Sequence, residues 1–269
     1  MKKLLVGWVV TALLFLTLPT AVLTAEPTTS VRIIKYGADG TILDETHLTY
    51  QWMEGNLPVH GDGVTHYYHQ GPVFEGDKWD RNESKNFKDK GAVKGTNIRD
   101  LCDLVGGMSP GDEVMVHAQD GYYVIFDYTS VYEPSSRQGN LILCWYCGGD
   151  PKMGEGYEGK SYPPDYFVGM RLVFFADDHV FGNWDMHECL NEKAQYFYGE
   201  LYPSTNGLSI KWCNEIGIYT SGYTGEHGDP AKSMPPSTTT TSRQIHWFAT
   251  IFLIAGLLLV VYALKRGRK

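Results

Sequence analysis

Two apolar segments, one at each end of the chain, confine everything between them. Residues 4–25 follow the basic start Met1-Lys2-Lys3, have an apolar centre and end in the small residues Thr24-Ala25, which is the layout of a secretory signal peptide. A cut after Ala25 leaves Leu23 at the third position before it, where a small residue is favoured, so a retained N-terminal anchor is the alternative. At the other end, Trp247 to Leu264 is almost uniformly apolar and runs directly into Lys265, Arg266, Arg268 and Lys269. Such a stretch crosses a hydrocarbon core ~30 Å thick, and a basic cluster just behind it marks the cytoplasmic side. Neither segment has the polar face of a surface helix. The sequence therefore predicts a signal peptide at 1–25, a single transmembrane helix at 246–264 and a cytoplasmic tail at 265–269. The remainder is expected to be extracytoplasmic, with the membrane as its first partner.

That remainder divides in two. Residues 222–245 (GYTGEHGDPAKSMPPSTTTTSRQI with its flanks) lose apolar periodicity and fill with Gly, Pro, Ser and Thr, a stalk that cannot bury a core. Residues 26–221 have the length of one folded domain. With the six basic residues of the two ends set aside, 17 Lys and Arg face 31 Asp and Glu over residues 26–245, a net charge of −14. So acidic a surface argues against nucleic acid as a partner and favours cations. Asn82-Glu83-Ser84 is an N-glycosylation sequon, and Thr238 to Ser242 is a second stretch suited to sugars.

Apolar alternation predicts strands at Val31 to Tyr36 and Ile42 to Tyr50, joined by Gly37-Ala38-Asp39-Gly40, and again at Glu113 to Ala118, Tyr122 to Tyr128, Leu141 to Tyr146, Met170 to Ala176 and Ser209 to Tyr219. Asn97 to Val105 puts Ile98, Leu101, Cys102 and Val105 on one helical face, with Asn97 as N-cap and Gly106-Gly107 as the stop. Glu188 to Tyr198 is a candidate short helix. Gly55 to Lys90 lacks a regular period and is expected to be a long functional loop. The class is α+β, a mainly β core with one clear helix.

Five cysteines, an odd number, lie in this domain, so at least one thiol is left over or shared with another molecule. Cys144-Trp-Tyr-Cys147 has redox spacing, yet a regular strand points positions three apart to opposite faces, and Gly148-Gly149-Asp150 ends the run in a turn rather than a helix. A structural disulfide or simple burial is expected there.

Three motifs in order, Lys94-Gly-Thr-Asn-Ile-Arg-Asp-Leu101, Asp120-Gly121-Tyr122 and Gly207-Leu-Ser-Ile-Lys-Trp-Cys-Asn-Glu-Ile216, resemble the sulfite-oxidase type of oxidoreductase molybdopterin-binding domain over about residues 46 to 220. Thr65 to Asp80 and His179 to Leu190 are also similar to an anchored cell-surface domain of methanogenic archaea. The resemblance implies that fold, with a molybdopterin cofactor held by basic residues near the matching motifs: Lys94, Arg99, Arg171 and Lys211. In the enzymes a cysteine thiolate binds molybdenum. The nearest match here is Thr49 to Asn56, so Gln51, Trp52 and Met53 stand at the cofactor position, and neither an indole nor a thioether supplies an anionic sulfur. The start of the chain also lacks the twin-arginine signal that exports folded cofactor proteins. The expected function is thus a surface domain that has lost the metal-thiolate and binds a small ligand or metal. An active oxidoreductase with a variant cofactor site and a structural adhesion module are the alternatives.

For a transition metal, the candidates are His60, His66 and His69 in the long loop and His179 and His187 in the later aromatic segment. Imidazole is a common ligand, and two irregular segments covering strand ends could bring three rings to one ion. The competing expectation is that these rings hydrogen-bond loop carbonyls and pack on aromatics. A His-Glu-x-x-His zinc motif does not occur.

Overall fold

A computed structural model describes residues 26–148 and 159–225. The expectations for the signal peptide, the membrane span, the tail, Thr238 to Ser242 and nearly all of the stalk lie outside the described residues. Within them, no helix is long and apolar enough to cross a membrane.

In chain order the elements are β1 (Ser30–Tyr36), β2 (Ile42–Thr49), α1 (Tyr50–Asn56), β3 (His66–Gln70), β4 (Phe87–Asn97), α2 (Ile98–Asp103), β5 (Glu113–Ala118), β6 (Tyr123–Asp127) and α3 (Tyr128–Tyr132). There follow β7 (Asn140–Cys147), β8 (Arg171–Phe175), β9 (Val180–Phe181), α4 (Asn183–Cys189), β10 (Phe197–Tyr198), β11 (Tyr202–Pro203), a 3-10 turn (Thr205–Leu208) and β12 (Cys213–Tyr219). One sheet has the order β2-β1-β12-β5-β6 and the other β8-β7-β4-β3-β9. β1 and β12 pair in parallel, with Ile33 opposite Ile216; β1 with β2, and β5 with β6 and β12, are antiparallel.

The period of two sets the packing. Val31 and Ile33, Val114 and Val116, Val124 and Phe126, and Ile216 and Ile218 turn one face of the first sheet inward. They meet Leu141, Leu143 and Trp145 of β7, Leu172 and Phe174 of β8, and Ile98, Leu101 and Cys102 of α2 in one cluster. Each such side chain contributes roughly 1.5–3 kcal/mol relative to exposure. The helix begins where expected: Asn97 is extended and its side chain accepts from the Arg99 N–H at 3.0 Å, an N-cap. The molecule is α+β and mostly β.

Three expectations change. Gly55 to Lys90 is not one loop, because it contains β3 and the start of β4. The short helix falls at Asn183–Cys189 rather than at Glu188 to Tyr198. Nor do Cys144 and Cys147 face opposite sides. Gly95 pairs with Cys144 and Lys94 with Tyr146, which leaves Trp145 as an extra residue. This bulge resets the alternation, so Cys144 and Cys147 both turn into a second buried cluster with Tyr166, Val168 and Val173. All five cysteines are present as thiols.

Candidate functional site

The segment from Ser204 to Cys213 is laid beside the chain that leads into β8. Leu172 N–H donates to Ile210 O at 2.9 Å, Trp212 N–H to Val168 O at 2.8 Å and Cys213 N–H to Met170 O at 2.9 Å. Trp212 has φ 52, the left-handed region, an unfavourable conformation for a bulky residue. On the other side, Gln119 N–H reaches Trp212 O at 3.0 Å, and the Tyr122 hydroxyl donates to Gly207 O at 2.8 Å. These contacts enclose a pocket of about 350 Å³ between the β5–β6 turn and the segment, with Arg171, Lys211, Asn206 and Ser209 in its lining together with Asp120, Tyr122 and Tyr196.

Two buried basic groups at the pocket donate to neutral acceptors. Arg171 opens β8 and is 4% exposed; its Nε donates to Ser209 Oγ at 2.7 Å, and that hydroxyl donates on to Leu172 O at 2.9 Å. Lys90 of β4 is 3% exposed, and its ammonium donates to Asn206 Oδ1. Burial is the main influence on all three cations. It lowers Arg171 to about 10, still charged at neutral pH. Burial and then the Arg171 charge bring Lys211 to about 7. Burial, then repulsion from Arg171 and Lys211, drives Lys90 well below the ordinary lysine range. The Arg171 charge opposes protonation of both lysines, and an anion in the pocket favours it.

Of the basic residues that the resemblance points to, Arg171 and Lys211 meet at this pocket, and Lys94 and Arg99 do not. Lys94 Nζ lies 4.3 Å from the centre of the Tyr146 ring. Arg99 is exposed, 5.1 Å from the Tyr132 ring and 4.0 Å from the Asp103 carboxylate. Gln51, Trp52 and Met53 lie in α1 and outside the pocket lining: Gln51 and Trp52 face solvent and Met53 is in the core. Thr49 caps that helix, its hydroxyl accepting from Trp52 N–H at 3.3 Å, so the stretch compared with the molybdenum-binding strand is helical.

The five histidines do not converge, which corrects the expectation of a shared metal ion. Among the described residues no group of three or more His, Cys, Asp and Glu side chains is placed to hold one. His69 is fully buried; its Nδ1 donates to Thr205 O at 3.1 Å and its Nε2 accepts from Phe174 N–H at 3.2 Å. Burial, then the charges of Lys90 and Arg171, holds it neutral. That ring ties β3 to β8 and has no lone pair left for a metal. His66 Nδ1 lies 2.8 Å from Asp89 Oδ2, His60 Nε2 is 3.8 Å from Asp100 Oδ2, and His187 Nδ1 is 3.0 Å from Glu188 Oε1. His179 packs edge-on against Tyr67, ring centres 5.2 Å apart. Each ring has a separate local partner.

Sequence reasoning did not single out Lys90, Asn206 or Ser209. Lys90 lies in the polar run Phe87-Lys-Asp-Lys90, and only the register of β4 turns it inward. A comparison with family models and with curated proteins finds no match for this chain.

Proposed function

We propose that this domain binds an oxyanion-bearing small molecule, by a phosphate, sulfate or carboxylate group, in the pocket lined by Arg171 and Lys211, with Lys90 behind Asn206. The observation that carries the reading is that Arg171 and Lys211 line one concave surface together with Ser209 and Asn206, the latter bonded to Lys90. Arg171, whose Nε donates to Ser209 Oγ at 2.7 Å, lines the pocket, and a guanidinium matches planar and tetrahedral oxyanions. The terminal apolar segments support presentation of this pocket outside the cell on a single membrane anchor.

The sulfite-oxidase-type architecture remains part of the proposal, supported by motif order and by the meeting of Arg171 with Lys211. The donor set does not fit molybdenum. Among the described residues lining the pocket there is no cysteine, and Cys213 beside it is buried, its thiol donating to Ile210 O at 3.5 Å, with burial raising its pKa to about 12. Binding rather than redox chemistry is therefore the reading the residues favour. Isothermal titration of the full chain with sulfate and with phosphate at pH 6.5 tests it: saturable binding is expected, and no heat with either anion would contradict it.

A further inference from the structure

The chain carries a single Asn-x-Ser/Thr sequence, Asn82-Glu83-Ser84, and it falls on the connection between β3 and β4. Asp80 shapes a turn there: its carboxylate accepts from the Asn82 N–H at 2.9 Å, and its carbonyl accepts from the Glu83 N–H at 3.2 Å. An aspartate closes such a turn with its own side chain. Just beyond, the backbone is pinned from the inside, because the buried Gln70 amide donates to the carbonyls of Glu83 at 3.4 Å and Lys85 at 3.1 Å. Asn82 and Ser84 are both exposed. Neither side chain hydrogen-bonds to another described residue. Other asparagine amides are engaged in the fold: Asn86 donates to Pro72 O at 2.7 Å, and Asn183 to Gly71 O at 3.2 Å.

We infer that Asn82 carries an N-linked glycan. The inference rests on the extracytoplasmic part of the proposed function and not on the anion pocket. A membrane oligosaccharyltransferase supplies the sugar from a lipid-linked oligosaccharide. The Asn82 Nδ2 attacks the anomeric carbon, and a C–N bond forms as the bond from that carbon to the lipid phosphate oxygen breaks. The lipid phosphate leaves, and the amide nitrogen gives up one proton. The Ser84 hydroxyl is the second element that the transferase reads. A glycan is bulky and solubilising and belongs on surface chain, which is where the turn holds this nitrogen. The flanking Arg81 and Glu83 line a cleft of about 520 Å³, so the sugar is rooted at its rim.

Mass spectrometry of the chymotryptic peptide spanning residues 80–87, taken from the full chain in the membranes of the cells that naturally make it, reads the modification. A mass increase made of whole sugar residues on Asn82 is expected. Ser84→Ala should abolish it and Ser84→Thr should keep it, and neither change removes a hydrogen bond from the fold. Protease treatment of the same cells, left intact, reports the topology separately. If residues 26–245 are cut from outside yet Asn82 is bare, the inference is overturned while the extracytoplasmic reading stands. If Ser84→Ala stays modified, the addition is not directed by this sequence and the inference again fails. If the protease does not reach these residues and Asn82 is bare, the extracytoplasmic reading fails and takes the inference with it.

Discussion

Lys94 and Arg99 on one side of the domain, and Arg171, Lys211 and Lys90 on another, are the same kinds of residue with opposite fates. The first two rest over Tyr146 and Tyr132 near solvent, where cation–π contacts and water keep a charge comfortable. The other three are turned into the protein and toward each other, and burial lowers the pKa of every one. A basic residue near a suggestive motif is thus weak evidence by itself. Convergence and desolvation separate a binding surface from a solvated one.

Arg171→Met should break that contrast most sharply. Loss of the buried guanidinium is expected to weaken sulfate binding at least ~30-fold, because a desolvated charge contact costs about 2 kcal/mol or more when one partner is truncated. Lys94→Met and Arg99→Met should change it by no more than about twofold. Parallel titrations of the three variants check this, and similar losses in all three would erase the distinction between the regions.

Stability should move the other way. An ammonium held inside without ligand is a cost, so Lys211→Met is expected to stabilise the ligand-free protein at pH 7 by about 1 kcal/mol or more in urea unfolding, while Arg99→Met stays within ~0.5 kcal/mol. The sign follows from proton linkage. Lys211 titrates near 7 when folded, against the ordinary 10.5. Between those values the unfolded chain binds more protons, so this group's contribution makes wild-type stability rise with pH and the variant's advantage shrink. A destabilised Lys211→Met protein would mean that the ammonium makes a favourable contact in the ligand-free state.

The smallest expected effect is on pH dependence of binding. Sulfate keeps its charge near neutrality, so its affinity should decline as pH rises through and above about 7, where Lys211 loses its proton. Lys211 is faced by Arg171, which stays charged in that window, by Lys90 across Asn206, and by Asp120, Tyr122 and Tyr196 of the lining. In Lys211→Met the profile should flatten. An unchanged slope would assign the titration to another group.

Much of the scaffold was legible because it is written in short-range patterns. Val31 to Tyr36 alternates β-branched residues, Glu113 to Ala118 alternates around Val114 and Val116, and Asn97 announces a helix by the oxygen of its own side chain. β3 escaped because its inward positions in His66-Tyr-Tyr-His-Gln70 are Tyr67 and His69 rather than aliphatic residues, and His69 is satisfied only by Thr205 and Phe174 from distant parts of the chain. The shared face of Cys144 and Cys147 depends on a bulge at Trp145, which is set by the partner strand. The pocket is a product of register as well. Arg171 and Lys211 stood beside recognisable motifs, but nothing local to Lys90 or Asn206 shows that the two meet.

The central claim is that Arg171 and Lys211, with Lys90 behind Asn206, form one anion site. Its most direct test is a crystal structure of the protein grown with selenate, a tetrahedral oxyanion located by the anomalous scattering of selenium. The account predicts a peak in the pocket within hydrogen-bonding reach of the Arg171 guanidinium and the Lys211 ammonium. Selenate found only over exposed surface cations such as Arg99, with the Arg171 pocket bare, would contradict it.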